Sequence, residues 1–419
     1  SLIVDNDNDG HIESGDNDKV YLYITMRRGG DEVFAFDISN PDIPPKLIWK
    51  INSASSDFTE LGMTFSNPTV GVVQTGVQSD AAGGAVELQT AVVFAGGMCG
   101  GWNATNTARL CKDLDGHMGP DTEGTAIYVV NALTGALIWK ATGGASASTV
   151  PNTSSSDHFV HPSMIHSIPS DITLFDSNKN GILDRGYVGD TGGNVWRIDL
   201  PEASPDVGGA AVDGREQWFV GLFAQLGIDA VDPAATAAVK SANDRRFYHA
   251  PDVVQNYLEN NVTPVDKVVI TSGDRPHPRE DDVDNTLFAL NDLITDTGSD
   301  ALIDSGSGLP LDSVIVKADL ADTEFCLSDE TSAACVASAS DTEGWFLDYE
   351  QLGEKGLSKP LVVDGTVFAT SYLPNGEPGA GGGADICSPP EGSSRLYALS
   401  LNNGAPTVHL SDNLDTKFV

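Results

Sequence analysis

At 419 residues the chain is long enough to bury a large core, and 44 glycines with 22 prolines break it into many short segments. Sixty acidic residues against 23 basic ones leave a formal net charge of −37. That charge excludes the clustered cationic surface which nucleic acid or an anionic membrane requires, and it suits divalent cations. No apolar run is long enough to cross a bilayer, so no direct membrane insertion is expected.

The first element is a loop, Asp5-Asn6-Asp7-Asn8-Asp9-Gly10-His11-Ile12-Glu13. EF-hand-type calcium loops take oxygens from positions one, three, five and nine, with a backbone carbonyl from position seven and a glycine at the sharp sixth-position turn. Here those are Asp5, Asp7, Asp9, Glu13, the carbonyl of His11, and Gly10. The competing reading is a solvated acidic terminus. No charged stretch followed by an apolar one marks an export signal, and the chain opens inside this acidic loop, so it is expected to be a fragment of a longer exported protein.

A short pattern then recurs five times, a hydrophobic strand with an aromatic at its second position and a small polar residue at its end. The copies are Val33–Asp37, Ile127–Asn131, Val195–Asp199, Leu287–Asn291 and Leu396–Ser400. Each follows another β-rich run: Val20–Thr25, Ala91–Ala95, Tyr187–Gly189, Lys267–Thr271 and Thr366–Ser371. Several linking turns carry Gly-Gly or Ser-Gly, as hairpins favour. Upstream of four pairs a proline-led strand is predicted, at Asn67–Val70, His161–Ile165, Ala250–Val254 and Lys359–Val363, since proline is tolerated at a strand's first residue. Leu47–Lys50 and Leu137–Lys140 read as edge strands. A four-stranded antiparallel meander cannot bury both of its faces alone, so its repetition predicts an all-β fold, a modified β-propeller with five legible blades and up to seven. Residues 1–419 are read as one propeller domain with insertions near 99–124, 202–246 and 321–343, the alanine-rich part of the second holding a short helix. A strand around Val408 is expected to clasp the ring.

Cys99 with Cys111 and Cys326 with Cys335 flank two of these insertions at spacings that suit local disulfides in an oxidising compartment. The competing reading is that all are reduced and buried. Cys387 is left without a partner.

The most informative stretch is Asp171–Leu200. An apolar strand, Ile172–Phe175, feeds a second loop with calcium spacing: Asp176, Asn178, Asn180, the carbonyl of Ile182, then Asp184, with Gly181 at the turn. Two of its side-chain ligands are neutral amides and the loop has no distal glutamate, so modest affinity is expected, in the micromolar to millimolar range. The competing reading is an Asn/Asp-rich turn without metal. The acidic groups at Asp113–Glu123 and Glu280–Asp284 read as solvated loops, and His158, His161 and His166 as loop and strand residues. No nucleophile elbow, zinc-helix signature or phosphate-binding glycine loop is present in the sequence, so an enzyme is not expected.

Taken in order, Arg28–Asp37, Leu61–Thr69, Ala126–Lys140, Asp176–Leu200, Gly344–Asp348 and Ser394–Leu399 resemble the C-terminal β-propeller of the PilC/PilY type IV pilus tip adhesins. The resemblance implies an EF-hand-like Ca2+ site on Asp176, Asn178, Asn180, Ile182 and Asp184, where the family usually has Asp at the positions of Asn178 and Asn180. It implies a non-enzymatic adhesin and pilus biogenesis factor, located outside the cell at the pilus tip. The partners it implies are minor pilins and a host or abiotic surface receptor. Two other functions compete. Asn131–Trp139 resembles the tryptophan docking repeat of pyrroloquinoline quinone dehydrogenases, and Trp102, Trp218 or Trp345, where exposed, would serve a carbohydrate-binding propeller lectin; the competing reading of those tryptophans, and the favoured one, is blade packing.

Overall fold

The computed structural model describes residues 1–7, 9–78, 85–100, 111, 119–152, 154–203, 212–257, 264–293, 314–327, 335, 343–374 and 392–407. These contain five sheets, one short α-helix (Ala237–Ala242) and several 3-10 turns. No helix among them is long and apolar enough to cross a membrane. The expected strand around Val408 and Cys387 lie outside the described residues.

Each of the five repeats is a strand of a different sheet. The first sheet is a plain antiparallel meander of Leu2–Val4, Lys19–Thr25, Val33–Asp37 and Lys46–Ile51. Leu2–Val4 takes the outer place for which the sequence offers no proline-led strand. The second sheet has the meander Thr69–Gln78, Ala85–Ala95, Ala126–Asn131, Leu137–Thr142, and adds Val212–Asp213 at one edge and the parallel His158–Val160 at the other. The third runs Thr173–Phe175, Arg185–Gly189, Asn194–Asp199, Phe219–Gln225, Ile315–Val316. The fourth runs Asp252–Tyr257, Pro264–Thr271, Thr286–Asp292, Gly344–Asp348, Ala321–Asp322. The fifth joins Leu361–Val363, Thr366–Leu373 and Ser393–Ser400, with Lys355–Gly356 also on the central strand. The added two- and three-residue strands satisfy backbone groups that a bare sheet edge would leave unpaired.

Three of the four proline-led strands form. His161–Ile165 does not. Ser163 N–H donates to His161 Nδ1 (3.2 Å) and Met164 N–H to the His161 carbonyl (3.1 Å), which makes a turn, and Thr173–Phe175 takes the outer place instead. Within 202–246, Phe219–Gln225 is a sheet strand, and the short helix lies beyond it.

By internal contacts the chain divides into two units. One comprises Ser1–Gly186 with Arg197–Gly221, the other Tyr187–Trp196 with the described residues from 222 onward; the strands of the third sheet contribute to both. In each unit the packing follows from the period-two alternation of strands. The core of the first takes Val33 and Ala35, positions one and three of one repeat, together with Tyr128, Val130 and Ala132, positions two, four and six of the next. The core of the second takes Leu287 and Ala289 with Tyr397, Leu399 and Leu401, the same positions in the same order. One face of a sheet is thus covered by the opposite face of its successor, as blades stack.

Tryptophan fixes this stacking. Trp49, Trp139 and Trp345 stand opposite the third position of their repeats, at Ala35, Val129 and Ala289. Trp49 Nε1–H donates to the Ala132 carbonyl (2.9 Å), and Trp345 Nε1–H to the Leu401 carbonyl (3.0 Å). Each acceptor is the residue just past the following repeat. Gly135, at φ +70°, lies under the Trp49 ring, where an added Cβ would come within 2.9 Å. Fully burying such an aromatic removes about 150–250 Å2 from water, roughly 4–6 kcal/mol before chain entropy is counted. Both cysteine pairs are disulfides, Cys99–Cys111 and Cys326–Cys335.

Candidate metal centre

The internal loop hangs between Thr173–Phe175 and Arg185–Gly189. Asp176, half-buried at its start, folds it. Its carboxylate accepts the N–H of Lys179 (2.5 Å), Asn180 (3.1 Å) and Gly181 (2.6 Å). That wrap forces Lys179 to φ +66° and Gly181 to φ +92°, and glycine occupies the second of these without strain. Asn178 Oδ1 accepts from Asn180 N–H (3.1 Å) and Asn180 Oδ1 from Ile182 N–H (2.9 Å). Asp184 closes the loop from its other end. Its carboxylate is fully buried and accepts both the N–H and the hydroxyl of Ser177, at 2.8 Å each. Burial raises the Asp184 pKa; the Ser177 bonds and the Arg185 charge oppose the shift, and the Asp176 charge reinforces it.

The seat of this loop is rigid. Leu183 N–H bonds the Val72 carbonyl (2.8 Å), and the Leu183 side chain occupies the space above Gly71, where a Cβ would stand 2.1 Å from its Cδ1. Asp184 N–H bonds the Phe175 carbonyl (3.2 Å), and Leu200 N–H bonds the Asp184 carbonyl (2.8 Å). Beneath lies a buried ionic group. Asp199 meets Arg197 at 2.8 Å and Arg185 at 3.6 Å, with all three side chains at most 1% exposed.

Two residues that the sequence did not single out complete the picture. Asn178 Nδ2 donates to Glu202 Oε1 (3.1 Å), and Asn180 Nδ2 donates to the same oxygen. The N-terminal loop repeats the internal one closely. Gly10, at φ +84°, donates its N–H to Asp5 (2.9 Å), Asp9 N–H bonds Asp7 (3.3 Å), and His11 N–H bonds Asp9 (2.7 Å). Asp5, Asp7 and Asp9 bring their ligand oxygens within 4.8 Å of one another. Glu13 is exposed, and the closing bonds go to buried Asp18, which accepts Asn6 N–H (2.8 Å) and Glu13 N–H (2.9 Å); these two bonds lower its pKa.

The donors offered by the internal loop are all oxygens (two carboxylates, two amides and the Ile182 carbonyl), which is the chemistry calcium takes. Among the described residues, the close groups of His, Cys, Asp and Glu are Asp5/Asp7/Asp9, Asp274/His277/Glu280 and Cys99/Cys111/Asp121. The internal loop is not among them: it has two carboxylates, Asp176 and Asp184, and Glu202 does not make a third within the same 4.8 Å. In the last group the cysteines are already in a disulfide; in the second, Arg246 bonds Asp274 at 3.1 Å and supplies the positive charge.

No family model matches the chain. The type IV pilus biogenesis factor PilY1 homolog of Xylella fastidiosa is 22% identical over 389 residues, 91% of this chain and 21% of that protein. PilY1 of Pseudomonas aeruginosa strain UCBPP-PA14, also named a type IV pilus biogenesis factor, is 29% identical over 181 residues, 42% of this chain and 11% of that protein. The crystal structure of the Pseudomonas aeruginosa PilY1 C-terminal domain superposes with a TM-score of 0.55 at 19% identity, covering 96% of this chain and 72% of the other. The resemblance to the PilC/PilY family holds. The fold of this PilC/PilY-like chain is accordingly a modified β-propeller, with five sheets among the described residues. It spans about a fifth of the length of the Xylella relative.

The docking repeat that resembles quinoprotein dehydrogenases has a structural role here: Ala132 and Gly135 receive the Trp49 side chain. The lectin reading loses two of its three side chains, because Trp218 and Trp345 are buried, and Trp102 lies outside the described residues.

Proposed function

We propose that this chain is the calcium-binding propeller of a type IV pilus biogenesis factor that acts outside the cell, at the pilus tip, as an attachment platform and not as a catalyst. The observation that carries the reading is the alignment of 91% of the chain with a type IV pilus biogenesis factor, with the Asp176–Asp184 loop lying inside a matching fold. Asp176, Asn178, Asn180, the Ile182 carbonyl and Asp184 would hold the cation, and Asp5, Asp7, Asp9, the His11 carbonyl and Asp18 a second one, with Glu13 at the rim. The cation would supply charge neutralisation where carboxylates crowd. The chain's own residues do the positioning: Asp176 gathers three backbone N–H groups, Ser177 holds Asp184, and Leu183 locks the loop to the neighbouring strand. Minor pilins and a host or abiotic surface receptor are the proposed partners.

The test is genetic. Deleting the gene in its own host should remove surface pili, measured as pilin sheared from the cells and by electron microscopy. The full-length wild-type gene should restore them. Undiminished piliation and surface attachment after deletion would overturn the proposal.

A further inference from the structure

The internal loop is short of charge for a calcium site, since positions three and five are Asn178 and Asn180 and only Asp176 and Asp184 are anionic. The structure brings a third carboxylate to it. Both amide groups point their Nδ2 ends at one oxygen of Glu202, so the Glu202 head lies where the two side chains meet. Its position is fixed from behind: Asp199 is held by Arg185 and Arg197, Leu200 is bonded to the Asp184 carbonyl, and Pro201 is buried. The Glu202 side chain therefore starts three residues from a pinned point. It is half-buried.

We infer that Glu202 is the remote carboxylate of this site: it holds the two amides in place when no cation is bound, and joins the ligand shell when calcium is. The inference rests on the calcium reading proposed above. A half-turn of each Asn amide swaps its Nδ2 for its Oδ1 at the centre and gives up the bonds that the two Oδ1 atoms accept from Asn180 N–H and Ile182 N–H, which the bound ion has to outweigh. The same movement releases the Glu202 oxygen from two N–H donors and offers it to the ion. Glu202 thereby does the work of the distal glutamate that the nine-residue loop lacks, and it restores a third negative charge. Because the loop is already assembled around Glu202, calcium binding orders little additional chain. A large, adaptable oxygen shell of this kind suits calcium over magnesium, which demands a small octahedral set and gives up water reluctantly.

The experiment is calcium titration by calorimetry and by thermal shift on the whole chain, comparing the parent with Glu202→Gln, Glu202→Asp and Asp176→Ala. The binding event that Asp176→Ala abolishes belongs to the internal loop, which separates it from the N-terminal one. For that event Glu202→Gln should weaken calcium on the order of tenfold or more. It should leave the metal-free melting temperature near that of the parent, because the glutamine Oε1 still accepts from the two amides. Glu202→Asp, which keeps the charge on a shorter arm, should fall between. If Glu202→Gln binds as the parent does while Asp176→Ala has lost the event, the role of Glu202 is wrong and the site stands. If parent and Asp176→Ala titrate alike, the site itself is wrong and Glu202 falls with it.

Discussion

Asp199 is the anion on which the seat of the internal loop depends, and Asp199→Asn tests that dependence with almost no change in shape. In the parent, one fully buried carboxylate receives Arg197 through two contacts of 2.8 Å and Arg185 at 3.6 Å. The substitution leaves two guanidinium groups buried without it. Removing one partner of a buried ion pair costs about 3–5 kcal/mol, because the remaining charge stays desolvated. Asp184 lies next in sequence to Arg185 and interacts with its charge, and this retained anion places the expected loss at the lower end, near 3 kcal/mol. With a urea dependence of about 1–3 kcal/mol per M, the unfolding midpoint of the first unit should fall by about 1–3 M. Equilibrium urea unfolding, with hydrogen exchange of the Thr69–Gln78 strand to assign the transition to this unit, measures it. The double variant Asp199→Asn/Arg197→Met should recover part of the loss, since replacing a buried ionic group by apolar side chains is often nearly neutral. A midpoint within about 0.3 M of the parent, the range of an ordinary surface substitution, would refute the argument.

Two further outcomes follow from the packing and from charge. Trp49→Phe removes one buried hydrogen bond together with part of the buried indole and should cost roughly 1–3 kcal/mol. Gly135→Ala, which places a Cβ against the Trp49 ring at a left-handed φ, should cost roughly 1–3 kcal/mol; thermal melts that show Gly135→Ala unchanged would sink the docking account. Glu60 provides the pH test. Burial alone would raise its pKa, yet Lys140 at 3.1 Å prevails and holds it below 4.5. A depressed acid contributes stability above its unfolded value and loses that contribution as pH falls through the folded value. The melting temperature should therefore drop on acidification below 4.5, and Lys140→Met should show less of that drop. An identical acid profile in both proteins would exclude the pair as a cause.

Much of this protein could be read from residues that act locally. The five repeats and most of the runs before them are strands because short apolar runs rich in β-branched and aromatic residues, bounded by turn residues, suit an extended chain that is covered on both faces. Prolines 68, 251 and 360 mark strand starts because their missing N–H falls outside the ladder. The turn of the internal loop was likewise legible, since Asp176, Gly181 and their spacing fold it through bonds no longer than five residues. Other features depended on partners far along the chain. His161–Ile165 has the composition of a strand, but no neighbouring strand receives it, and His161 turns the chain instead. Glu202 carries no local signature, being an acid in an acidic chain, and meets Asn178 and Asn180 only where folding brings it back to them.

The sequence by itself determined most of the strands and the two turns rich in oxygen, because hydrophobic pattern and backbone sterics operate within a few residues. Which sheet face covers which, and which distant carboxylate meets the internal loop, were decided only by the tertiary structure. Both depend on desolvation and on charges brought together from different strands, and neither exists until the chain has folded.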